Sequence, residues 1–227
     1  MKKIISAICF VSALIMTQFA HSQTEDEIVD KYITALGGKE KMLSLKTLKI
    51  TGTNLNAQGN KVDVVQTHKH MVALRIDRNR SGTKSFTIAT GKKGWVTGFG
   101  ETIPRDMDDD QLKTAQARLD IQGALINYKE KGTKIELAGS ETTEGIDCFN
   151  LKVTYESGVV MNFYIDSKTY RISKISRVDN FTLFLNYKQN EDGYWFAYTN
   201  KQSNGAELTI STIETNIPVD DKIFQVD

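Results

Sequence analysis

The stretch IDCFNLKVTYESGVVMNFYIDSKTYRISKISRV, residues 146–178, decides the fold class. It reads as three β-strands, 148–155, 159–165 and 170–178. In the first, Phe149, Leu151, Val153 and Tyr155 fall on one face and Asn150, Lys152 and Thr154 on the other. That is the period-two alternation of a half-buried strand. Glu156-Ser157-Gly158 turns the chain, and the second strand sets Val159, Met161, Phe163 and Ile165 against Val160, Asn162 and Tyr164. Asp166-Ser167-Lys168 turns it again, and Tyr170 and Ile172 resume the pattern. Connections this short join antiparallel neighbours, because a parallel crossover needs about a dozen residues or more.

The same unit extends to both sides. Upstream, strands are predicted at 47–55, 61–68, 71–77, 83–90 and 95–99, with Val72, Leu74 and Ile76 sharing a face of the third. Downstream, 133–141 precedes the central stretch, and 181–188, 194–201 and 207–216 follow it. Trp195 and Ala197 oppose Tyr194, Phe196 and Tyr198. Segment 181–188 is apolar on both faces for part of its length, so one face meets a core and the other a helix or an oily ligand. About a dozen strands at this spacing define a sandwich or barrel. With no Pro/Gly/Ser-rich linker, residues 23–227 read as one domain.

Two helical segments interrupt the strands. Thr24 and Glu27 form a capping box ahead of Ile28, Tyr32, Ala35 and Leu36, which share a helical face; Gly37-Gly38 stops that helix, and a short turn spans 39–45. Residues 100–131 hold Pro104, an acidic run at Asp106 and Asp108 to Asp110, and Leu112, Ala115 and Leu119 at helical spacing. Ile121, Leu125, Ile126 and Tyr128 predict a further turn or two. The acids suit a helix start better than a calcium loop, lacking the loop's glycine and distal glutamate. An insertion of this size in a meander reads as a lid or binding loop.

Residues 1–22 read as a cleaved secretory signal peptide. Lys2-Lys3 precedes an apolar run, and Ala20-His21-Ser22 offers small residues where a peptidase cuts. The run is shorter than the ~20 residues of a membrane span. Cys9 lies inside it, too early for lipid attachment. The protein is therefore expected in the periplasm. Removing the leader leaves 27 basic against 28 acidic side chains, a net −1 that gives nucleic acid no electrostatic footing. Cys148 is the one remaining cysteine, so no internal disulfide forms and this thiol is expected in the core.

No catalytic motif is legible. There is no Gly-x-Ser-x-Gly, no phosphate loop and no His-Glu-x-x-His. His68 and His70 point to one side of a strand but lack a third ligand, so a solvated strand face is the simpler reading than a metal site. Asp220-Asp221 reads as the end of the last strand. No cofactor and no metal are implied.

Taken together, IVDKYITALGGKEKMLSLKTLKITGT, the Gly94-Trp95 pair, YKEKGTKIELAGSETTEGIDCFNLKV and YIDSKTYRISKI resemble the LolA/LolB-like lipoprotein-sorting carriers of the outer membrane, over nearly all of the mature chain. The resemblance implies a mainly β fold: an unclosed, strongly curved antiparallel barrel of about 11–12 strands. An N-terminal helix and a helical lid, residues 108–128, would cover its concave side. It implies a non-enzymatic carrier of lipoprotein acyl chains or another lipidic ligand, acting as a monomer between membrane-associated donor and acceptor. Trp95, Phe99, Leu112, Leu119, Leu125, Phe163, Phe184 and Trp195 are the candidate cavity residues. Arg75 stands nearest the arginine that latches the lid in such carriers. His68-Lys69-His70-Met71 departs from their pattern of a basic residue and a proline. Two other functions remain open: a structural or sensing module that holds a protein partner, and a hydrolase built around His68 or His70.

Overall fold

The computed structural model describes residues 23–226; the predicted leader lies outside the described residues. Helix α1 (Glu25–Ala35) begins with the capping box read from the sequence, Thr24 Oγ1 accepting from Glu27 N while Glu27 accepts from Thr24 N. Gly37 and Gly38, both at positive φ, release the chain into the short helix α2 (Lys39–Leu43). Strands β1 (Thr47–Leu55), β2 (Lys61–Lys69), β3 (Ala73–Arg80), β4 (Thr83–Thr90), β5 (Gly94–Val96) and β6 (Arg105–Asp106) follow as one meander. Helix α3 (Asp109–Gln116) lies in the insertion. A second meander then runs through β7 (Lys134–Thr143), β8 (Ile146–Thr154), β9 (Val160–Asp166), β10 (Ile172–Arg177), β11 (Asn180–Gln189), β12 (Trp195–Gln202) and β13 (Glu207–Thr215).

The two meanders form a single antiparallel sheet, ordered β6-β5-β4-β3-β2-β1-β13-β12-β11-β10-β9-β8-β7. Among the described residues it has 13 strands and does not close: β6 and β7 are its two free edges. They are also consecutive in the chain, so the insertion bridges the gap between the edges. The seam is the long-range pair β1·β13, whose register shifts between Thr51 and Gly52. A Cβ at Gly52 would sit 2.5 Å from the Thr209 carbonyl oxygen, so this close crossing requires glycine.

Three clusters hold the sheet. Ile28, Val29 and Tyr32 of α1 pack with Ile135, Leu151, Val153, Phe163 and Ile165 of β7–β9. Ala115 and Leu119 pack with Leu48, Leu74, Ile76, Ala89, Leu208 and Ile210. On the other face, Phe224 of a C-terminal 3-10 turn (Asp221–Phe224) packs with Ala73 and Ile88. Each fully buried Leu or Ile contributes roughly 1.5–3 kcal/mol. Cys148 is buried, with its thiol beside Ser173.

Two predictions are corrected. Residues 121–128 form no helix: Gly123 and Asn127 both take positive φ, which breaks the repeat into turns, although Leu125 and Ile126 are fully buried under α1. Asp220-Asp221 does not end the last strand. That strand stops at Thr215, and Asp220 caps the 3-10 turn through Lys222 N.

Candidate functional site

Register fixes which side chains line the concave face. Leu74 pairs with His68 and Ala89, Ile76 with Gln66 and Thr87, and Arg78 with Val64 and Ser85. These share one side of the sheet, the side on which Ala115 and Leu119 pack. Across the seam, Leu208 lies between Asn54 and Asn200, and Asn200 pairs with Phe184.

Helix α3 lies over this face as a cover. Its N-cap is Asp108, in a capping box with Gln111. Leu112 sits against Gly94; a Cβ there would overlap the Met107 sulfur and come 3.2 Å from Leu112 Cδ1. The remaining ties are few and polar. Arg177 Nη1 of β10 donates to Thr114 Oγ1 at 2.6 Å. Arg118 Nη2 donates to Gln66 Oε1 at 3.1 Å, and Gln116 Nε2 to the Thr90 carbonyl at 3.4 Å. Past the helix the chain is anchored more firmly. Met71 N donates to the Leu119 carbonyl at 2.8 Å, Lys131 Nζ meets Asp120 at 2.6 Å, and buried Gln122 donates to the carbonyls of Leu43 and Leu45, 3.1 Å each. Besides Ala115 in the buried cluster, α3 is thus held by side-chain hydrogen bonds and runs into a fixed turn.

Two clefts follow each other along β11 and β12, one beneath α1, α2 and the turn at 121–123, the other beside α3. One, about 230 Å³, is lined by Tyr32, Ile50, Phe184, Tyr187, Trp195 and Ile213, among others. The other, about 330 Å³, opens beside Thr114, Met161, Ile175, Arg177, Thr182 and Gln202. Thr182 pairs with Gln202 one step along from Phe184 and Asn200, so both clefts belong to one trough. Pockets for small molecules run from about 300 to 1,000 Å³, and the wider of the two clefts falls in that range. Another cleft, about 390 Å³, lies mainly on the opposite face and mixes Asp63, Arg75, Asp77, Lys84 and Glu101, with Arg78 also in its lining. Its charges make it a poor host for an acyl chain. At the open end of the trough, Leu55, Ile103, Val160, Val178 and Phe181 expose apolar surface around the rim.

The predicted cavity residues separate into groups. Phe184 and Trp195 line the trough, the latter with the Arg171 guanidinium 3.8 Å above its ring. Leu112 is on α3, half-buried. Leu119, Leu125 and Phe163 are buried in the packed clusters beneath the cover. Trp95 packs with Ala73, Ile88 and Phe224 on the outer face, and Phe99 lies under the Arg80 guanidinium at 4.3 Å. Arg75 is on the outer face too: it grips Asp77 at 2.8 Å and the Ile223 carbonyl at 2.8 Å, away from α3. Arg177 and Arg118 are the arginines that reach the cover.

His68 is not on a solvated face. It is 5 % exposed, and burial pushes its pKa down to about 3. His70 lies 3.7 Å from Asp120. Burial lowers its pKa despite the pull of that carboxylate. Among the described residues no group of three His, Cys, Asp or Glu side chains is placed to hold a metal, and no helix is long and apolar enough to cross a membrane.

An open antiparallel barrel with helices over its concave face defines a LolA-like fold, and solved structures of that kind superpose on this one. A DUF1329 family protein from Desulfovibrio piger matches with a TM-score of 0.60 at 13% identity, over 88% of this chain and 96% of its own. A LolA superfamily protein from Nitrosomonas europaea matches at 0.58 and 13%, over 90% and 99%. An outer membrane lipoprotein-sorting protein domain from Vibrio parahaemolyticus matches at 0.53 and 16%, over 87% and 94%. No protein-family model matches the chain, and no curated protein matches it in sequence.

Proposed function

We propose that this protein is a non-enzymatic periplasmic carrier that holds an acyl chain, of a lipidated protein or a free lipid, in the trough beneath α3. The observation that carries the reading is the trough itself: Tyr32, Ile50, Phe184, Trp195 and Ile213 around one cleft, continued along β11 and β12 by a second that opens beside Thr114 of α3, where Arg177 ties the helix down. Each methylene moved from water into such a trough contributes roughly 0.8 kcal/mol, so a long chain offsets the cost of ordering it. Lifting α3 exposes the trough for loading, and lowering it excludes water. The apolar rim gives the chain a path to a donor or acceptor membrane without crossing open water.

The test is uptake of a fluorescent fatty acid by the mature chain, with native mass spectrometry of the protein purified from the envelope that exports it. Saturable uptake at one site per chain, and a retained lipid mass, are the expected outcome. Neither uptake nor retained lipid would overturn the carrier reading.

A further inference from the structure

The concave face is not oily throughout. Leu74 and Ile76 of β3 are followed on the same face by Arg78. Arg118 reaches the same region from the end of α3, bonding Gln66, which stands diagonally from Arg78 on the neighbouring strand. Arg177 enters from β10 beside the wider cleft. Among the described residues none of these three arginines forms an ion pair with a carboxylate. The nearest acid to act on Arg78, Asp77, is on the opposite face and is held by Arg75. Arg118 is solvent-exposed at its outer side; desolvation against the protein, and then the charge of Arg78, lowers its pKa. On the same face the side-chain carbonyls of Asn54 and Asn200 are buried without a partner.

Like charges gathered without counter-ions weaken a fold unless something anionic joins them. Guanidinium groups match phosphate and carboxylate oxygens in charge and in shape. We infer that the cargo is an anionic amphiphile: its phosphate or carboxylate headgroup is held by Arg78, Arg118 and Arg177, and its acyl chain runs along β11–β12 past Phe184 to Trp195. The inference rests on the carrier reading and narrows its ligand class. Asn54 and Asn200 face the same hollow and take a hydrogen bond from a headgroup hydroxyl or amine. Because Arg118 and the Arg177–Thr114 bond both involve the cover, a bound anion also fastens α3 down.

The test compares three probes with the same tail length by calorimetry on the mature chain: laurate, dodecyl phosphate and glycerol monolaurate, with inorganic phosphate as competitor. Laurate and dodecyl phosphate are expected to bind roughly tenfold or more tighter than the neutral monolaurate, given the strength of charge-assisted hydrogen bonds. The stronger of the two identifies the headgroup. In the R78Q/R118Q double variant the anionic probes are expected to lose roughly tenfold or more in affinity relative to monolaurate, so that the preference disappears. Equal binding of all three probes overturns the headgroup site and leaves the carrier reading standing. Binding of none overturns both. Displacement of dodecyl phosphate by equimolar inorganic phosphate shows a free-anion site and also overturns the proposal. A double variant that melts earlier and loses monolaurate makes the arginines structural, which overturns the headgroup site as well.

Discussion

His68 carries the clearest pH prediction. It is neutral in the folded protein, with a pKa of about 3, whereas an unfolded histidine titrates near 6.5. Below pH 6.5 the unfolded chain therefore binds a proton that the folded chain refuses, and stability falls as pH falls. The loss is about 2 kcal/mol at pH 5 and grows towards pH 3. His70, also shifted down by burial, adds to it in the same direction. Urea midpoints measured from pH 7.5 to 4.5 should drop on acidification, and His68→Gln should flatten much of that slope; a slope unchanged in the variant would contradict the assignment. Val178 gives a second residue-scale test. It is 92% exposed in the β10–β11 turn at φ 49°, a conformation that β-branched residues strongly disfavour. Val178→Asn should raise stability by about 1 kcal/mol in the same urea assay. Single residues were unevenly legible. Cys148 in the core followed from its type and from the loss of any partner. Trp95 was misplaced, since aromatic character does not say which face of a curved sheet is concave. The alternation Leu74, Ile76 already pointed to Arg78 when carried one step further, a charged side chain continuing an apolar face. Arg118 and Arg177 left no such trace, because their meeting depends on how α3 crosses the sheet.

At the scale of elements, α1 and α3 were plain because each is announced by local chemistry: the Thr24–Glu27 capping box for α1, and for α3 an acidic run, within which the structure adds a second box, Asp108 with Gln111. Strand bounds agree with the alternation to within a few residues, for the turns between strands carry their own signals. The stretch after α3 failed as a helix because an apolar spacing persists through turns; Gly123 and Asn127 override it. The proposed role of α3 as a cover can be perturbed from both sides. Thr114→Val keeps the shape and removes the Arg177 bond, so the helix should lift more readily. Stopped-flow uptake of the fluorescent fatty acid should then be about fivefold faster or more, the equivalent of one partly exposed charge-assisted hydrogen bond. An unchanged rate would mean that α3 does not gate entry. Gly94→Val does the opposite kind of damage. Its side chain collides with Met107 and presses on Leu112, so the helix cannot seat. A loss of about 1–3 kcal/mol by urea unfolding is expected for such overpacking, partly relieved where the flexible methionine yields; no loss would place α3 farther from β5 than the structure has it.

For the whole molecule, the sequence could show a meander but not how its ends meet. The β1·β13 seam joins residues about 160 positions apart, and no local pattern encodes such a pairing. That seam leaves β6 and β7 as free edges, and it makes the insertion between them a bridge over the concave face. The trough therefore exists only at this scale, as does the choice between it and the larger, charged cleft on the outside. Photo-crosslinking settles that choice most directly. A fatty acid with a diazirine near the end of its tail is bound to the mature chain, irradiated, and the adduct located by peptide mass spectrometry. Adducts on Tyr32, Ile50, Phe184, Trp195 or Ile213 are predicted. Adducts confined to Phe86 and Trp95 on the outer face, or none at all, would contradict the account.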